Sequence, residues 1–208
     1  MVSSQVERRG VKDARLLEAM RVVPRHAFVP AEKQSLAYED FPLPIGKGQT
    51  ISQPFIVALM TEQLELTGSD NVLEVGTGSG YQAAVLAQLA ASVHSVERYG
   101  ELARHALEVL KNLDIHNVFV HESDGSEGWP DAAPYDAIVV TAAAPHTPQT
   151  LLDQLAEGGR LVIPVGDRFN QSLQVWRRHE GEFTNRKNIP VAFVPLRGKY
   201  GWDSKDWP

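Results

Sequence analysis

Residues 72–81 read VLEVGTGSGY, an apolar run that passes straight into three alternating glycines, Gly76, Gly78 and Gly80. A short β-branched run of this kind fits a strand buried in a parallel sheet. Glycines directly behind it let the backbone turn sharply and approach a ligand with no Cβ in the way. Residues 81–90 are small and apolar at helical spacing, so the loop ends on a helix N-terminus. The next apolar stretch, residues 92–97, reads as a second strand and ends in an acid. Glu97 lies 21 residues beyond Gly76, close to the roughly 20-residue offset at which a carboxylate takes ribose hydroxyls in nucleotide-binding folds. The spacing G-x-G-x-G sets the third glycine one position nearer than in the dinucleotide fingerprint, which points away from a pyrophosphate. A tight strand-to-helix turn with no ligand gives the same local pattern, and it is Glu97 that favours a ligand.

A strand reading LEVGTGSG followed by an acid-ended strand resembles the S-adenosylmethionine-dependent methyltransferases, whose cofactor carries adenosine and methionine but no phosphate. Composition agrees with an enzyme of that size. At 208 residues, 43% hydrophobic and 22% charged, the chain suffices for one large core. We expect one domain over residues 1–208: a helical preface and loop (1–54), an α/β core (55–196) and a tail (197–208). The apolar runs are too short to cross a bilayer, and MVSSQVERRG lacks the apolar centre of a signal peptide, so a cytoplasmic protein with no membrane partner is expected. The absence of cysteine removes disulfides, thiolate metal sites and a cysteine nucleophile. Seven scattered histidines lack metal-ligand spacing, so no metal is expected. A net charge of −6 argues against broad nucleic-acid binding. Arg8, Arg9, Lys12 and Arg15 form the densest basic cluster and read as a solvated helix face.

Along the chain, a helix over 11–23 ends at Pro24. Core strands follow at 71–75, 92–97, 118–121, 137–141 and 160–165, with helices at 81–90, 99–112 and 147–156, and a short strand segment comes last. This alternation predicts an α/β fold with a doubly wound, mainly parallel sheet and ligands at the carboxyl ends of the strands. Asp124, with Gly125 behind it, follows the third strand, where an acceptor for an adenine amino group would stand; a turn aspartate closing a local hydrogen bond fits the same residues. The fourth strand closes at Thr141 and runs into Ala142, Ala143 and Ala144. These alanines make either a shallow floor that reads a substrate through its main chain or simple small-residue packing.

PIGKGQTISQP (44–54), together with LEVGTGSGYQAAVLA, YDAIVVTAAAP, LAEGGRLVIPVG and FVPL (193–196), resembles the protein-L-isoaspartate O-methyltransferase family. The resemblance covers most of the chain from about Leu16 to Leu196. It implies the doubly wound methyltransferase sheet and methylation of the free α-carboxylate of L-isoaspartyl residues in aged proteins and peptides. The family's active serine falls on Ser52. The implied cofactor set is Gly76, Thr77, Gly78, Ser79, Gly80, Glu97, Asp124, Gly125 and Thr141. The implied substrate set is Gln49, Thr50, Ile51, Ser52, Ala142, Ala143 and Val165. The chemistry is consistent: a carboxylate with a pKa near ~4 is ionised at neutral pH and needs no general base, so alignment and water exclusion remain for the protein. Ser52 also precedes a first-turn proline, which is a helix-start signature, and orientation and capping are both open to its hydroxyl. His146 and Arg197 are weaker candidates.

Overall fold

The computed structural model describes residues 1–207, apart from the side chains of residues 187 and 188. Strands β1 (Leu43–Gly46) and β2 (Gln49–Ile51) pair as a separate antiparallel hairpin. The main sheet is built from β3 (Asn71–Val75), β4 (Ser92–Glu97), β5 (Val118–Glu122), β6 (Tyr135–Val140), β7 (Leu155–Gly166), β8 (Gln171–His179) and β9 (Glu182–Val191). Their order is β5-β4-β3-β6-β7-β8-β9. The first five of these, β3 to β7, are parallel, and β8 and β9 add on antiparallel. The chain steps outward from β3 to β5 and then returns to lay β6 on the other side of β3. The crevice at that reversal, outside the carboxyl ends of β3 and β6, is where a doubly wound sheet places its ligand.

Side-chain alternation divides the core. Val72, Val93, Ala137 and Val139 face one side with α2 (Pro54–Leu64) and α3 (Tyr81–Ala87). Leu73, Val75, Ile138 and Val140 face the other with Leu151 and Leu152 of α5 (Gln149–Asp153). Leu73 and Ile138 are fully buried, and each contributes roughly 1.5–3 kcal/mol by leaving water. The preface belongs to the same core. Val6 and Phe28, with Leu16 and Met20 of α1 (Ala14–Val22), pack into the α2/α3 side.

The parallel strands and α4 (Gly100–Asn112) fall where periodicity puts them. Three elements differ. The helix expected over 11–23 starts at Ala14, because the Asp13 side chain takes the N–H groups of Arg15 and Leu16 and caps it there. The helix expected over 147–156 is only α5, since Leu155 already pairs with Tyr135 as the start of β7. The short strand segment expected last is instead the long antiparallel pair β8 and β9, and the chain beyond them makes only isolated bridges, Ala143 to Pro195 and Arg197 to Trp202, among the described residues. Strands β8 and β9 join through Glu180 and Gly181, both at positive φ, the conformation that a two-residue hairpin loop demands.

Candidate active site

A cleft of about 1100 Å³ opens at the reversal point. One wall is the glycine loop. Gly76 has a φ of 97° and a Cβ there would run into the Thr141 hydroxyl, so glycine is required. That hydroxyl donates to the Gly76 carbonyl at 2.7 Å and locks the loop to the end of β6. Thr77 pairs with Ser95 at 2.5 Å, and Ser95 donates to the Glu74 carboxyl below it. Burial pushes Glu74 up to about 8. Glu97, 5% exposed, sits at the carboxyl end of β4. Its two oxygens accept the N–H groups of Gly78 and Tyr99, each at 2.9 Å. Each oxygen keeps a lone pair for another donor.

The facing wall is the hairpin and the run into α2: Lys47, Gly48, Gln49, Thr50, Ile51, Ser52 and Gln53 all line the cleft. Lys47 sits at positive φ between Gly46 and Gly48, and its ammonium reaches Glu101 of α4 at 2.8 Å across the rim. Ser52 is half-buried, and its hydroxyl has no hydrogen-bond partner among the described residues. The capping alternative is excluded in this structure. The first turn of α2 is capped from a distance by Asp40, whose Oδ1 accepts the Phe55 N–H at 3.1 Å while Arg9 holds its other oxygen at 2.9 Å.

Of the residues proposed from sequence, Gly76, Thr77, Gly78, Ser79, Glu97 and Thr141 line the cleft, as do Gln49, Thr50, Ile51, Ser52 and Ala142. Gly80 lies just behind the lining as the N-cap of α3. Asp124 and Gly125 stand outside it. Asp124 accepts the Ser126 N–H and hydroxyl at 2.9 and 2.7 Å on one oxygen and the Lys199 N–H at 2.7 Å on the other. It is thus a turn aspartate that also clamps the tail, and Gly198 presses so close that any side chain there would meet its carboxylate. The alanine floor is narrower than expected. Ala143 exchanges bonds with Val194 and Leu196, and Ala144 with Pro164 and Gly166, so that of the three alanines Ala142 alone has no backbone hydrogen bond to a described residue. Ala143 is fully buried, Val165 lies beside Ala144 behind that layer, and His146 is exposed away from the cleft.

Of the third side, sequence reading had reached only Arg197. The end of β9 at Ile189 and the connection after it at Phe193 close the cleft, and so do Tyr99, Arg197 and Trp207. The Arg197 guanidinium grips the tail, donating to the Asp203 carbonyl at 2.6 Å and to the Trp207 carbonyl. Tyr99 could have been found two residues past Glu97. Nothing local marks Ile189 or Trp207, because long-range packing brings them in.

A parallel sheet reversing at a glycine loop, with a buried acid ending the next strand, defines a Rossmann-like methyltransferase. Two solved structures share the whole fold: a protein-L-isoaspartate O-methyltransferase (TM-score 0.87, 30% identity, covering 97% of this chain and 67% of that one) and a Plasmodium falciparum chain in complex with S-adenosyl-L-homocysteine (TM-score 0.83, 28% identity, 94% and 96%). The protein-L-isoaspartate O-methyltransferase of Methanoculleus marisnigri is 54% identical over 208 residues, covering 100% of this chain and 94% of its own. That of Syntrophobacter fumaroxidans is 55% identical over 203 residues, covering 98% and 95%. The chain belongs to the protein-L-isoaspartate(D-aspartate) O-methyltransferase family, whose match spans residues 1–201.

Proposed function

We infer that the protein transfers a methyl group from S-adenosylmethionine to the free α-carboxylate of L-isoaspartyl residues in damaged proteins and peptides, the step that starts their repair through a succinimide. The observation that carries this reading is that Ser52, its hydroxyl unengaged among the described residues, lines the same cleft as the glycine loop and Glu97. The cofactor supplies an electrophilic methyl on a sulfonium. The residues present suit it: bare glycine backbone permits close approach, and the buried Glu97 carboxylate has lone pairs free for ribose hydroxyls. Ser52 donates one hydrogen bond to the substrate carboxylate and fixes its direction. The unpartnered Ala142 backbone is the proposed contact for the substrate main chain. The apolar wall at Ile189 and Phe193 keeps water away from the reacting atoms. No proton has to be removed from the nucleophile, so the site needs no base.

Isoaspartyl proteins and peptides are the partners in this reading; nucleic acid and membranes are not. A net charge of −6 supports the first exclusion. No described helix is long and apolar enough to cross a membrane, which is in keeping with the second. A cytoplasmic location belongs to the same proposal. Incubation with methyl-labelled S-adenosylmethionine and matched isoaspartyl and aspartyl peptides tests the whole reading. Label should pass to the isoaspartyl peptide alone, and transfer to neither peptide would refute it.

A further inference from the structure

Arg25 is the largest fully buried side chain described in the molecule, with no exposed surface. Its Nε donates to the Ala37 carbonyl and its Nη2 to the Ser52 carbonyl, both at 2.7 Å. The guanidinium carbon stands 4.8 Å from the centre of the Tyr81 ring. Tyr81 is the first residue of α3, directly behind the glycine loop, and it also lines the cleft. One side chain therefore joins the two walls of the cleft from behind, touching the Ser52 backbone on one side and the start of the cofactor-loop helix on the other.

As a strut alone, this arrangement is a poor choice. The remaining nitrogen Nη1 and the Tyr81 hydroxyl are both buried without a well-formed hydrogen bond, interacting at best loosely with each other, and a buried charge with poorly satisfied donors is often replaced by apolar packing at no loss of stability. Burial lowers Arg25 only to about 10, so it stays charged at neutral pH and its bonds to the carbonyls are charge-assisted. What an apolar residue cannot supply is a rigid fork that fixes two carbonyls from different segments in one plane. The Ser52 carbonyl and hydroxyl hang from one residue, so fixing the first restricts the second.

We propose that Arg25 is a positioning residue for methyl transfer, setting the Ser52 hydroxyl at a fixed station relative to the glycine loop by gripping the Ser52 carbonyl while resting against Tyr81. This rests on the reading of Ser52 as the orienting donor. It is tested with a double-mutant cycle on the full-length protein. Arg25→Lys keeps the charge and loses the fork; Arg25→Gln removes the charge and keeps one donor. Each is assayed alone and with Ser52→Ala, using labelled S-adenosylmethionine, an isoaspartyl peptide and, separately, binding of S-adenosyl-L-homocysteine.

Each single Arg25 variant should lower kcat/KM for the peptide by about ten-fold or more, with the dissociation constant of S-adenosyl-L-homocysteine changed by less than about two-fold. In the Ser52→Ala background the same substitution should cost less than about two-fold, because the group it positions is gone. Equal losses in both backgrounds would overturn the proposal, as would a parallel loss of cofactor binding and turnover. Failure of both variants to fold would overturn it too, since the side chain would then serve the fold rather than the station of Ser52. A wild-type protein that transfers no methyl at all refutes the function itself, and an active Ser52→Ala variant at wild-type rate refutes only the role of Ser52.

Discussion

At the scale of single residues, Ser52 and Glu97 make opposite kinds of demand on the chain. The Ser52 hydroxyl holds nothing together, so Ser52→Ala should leave Tm unchanged while lowering methylation about 10–150-fold, the value of one charge-assisted hydrogen bond at roughly 1.5–3 kcal/mol. The residual rate should be flat with pH above the carboxylate pKa. A drop in Tm with normal turnover would mean that the hydroxyl supports structure instead. Glu97 serves two masters: its oxygens order Gly78 and Tyr99 as well as facing the cleft. Glu97→Ala should therefore weaken S-adenosyl-L-homocysteine by at least roughly 1.5–3 kcal/mol and lower Tm as well, because two partly buried N–H groups lose their acceptor. Calorimetry on a folded variant with unchanged affinity would remove Glu97 from the binding set.

Among the elements, α2 shows how a distant residue can finish a local structure. Asp40 caps it from fifteen positions earlier, and Asp40→Ala should cost about 1 kcal/mol of stability with little change in cofactor affinity; chemical denaturation compares the two, and an unchanged midpoint would deny the cap. The same contrast explains what the sequence could reveal. Strands β3 to β7 and helices α3 and α4 were legible because each carries its own period, and the residues at strand ends follow from the topology alone. The Asp40 cap, the clamp of Asp124 on Lys199 and the bonding of Ala143 to Val194 were not, since they join segments far apart and leave no local pattern. Hairpin β8–β9 was not read from the sequence, although it carries a partial signal. Gln171, Leu173 and Val175 alternate inward, and the Glu180-Gly181 turn marks the reversal, but β8's polar residues obscured the signal.

For the whole molecule, stability and pH are joined through Glu74. Its carboxyl titrates near 8 in the fold because burial opposes ionisation. The fold thus favours the protonated form, and the stability this confers is complete below about pH 4.5 and lost as pH climbs to about 8. His94 and His121, held below 6.5 by burial, act in the opposite sense only beneath that pH. Between pH 6.5 and 8 the native state should therefore weaken by roughly 2 kcal/mol, at up to about 1.4 kcal/mol per pH unit. Glu74→Gln should flatten that fall, and an equal slope in the variant would assign it to other groups. The tail has a different consequence. Clamped to Asp124 and held by Arg197, it brings Trp207, 8% exposed, to the edge of the cleft beside Trp202, with ring centroids 5.7 Å apart. An indole at that station is an optical reporter. Ligand entry should change the surroundings of its cleft-side edge and with them its emission, and Trp207→Phe should silence the response, so that occupancy of the cleft can be followed by intrinsic fluorescence with no label attached.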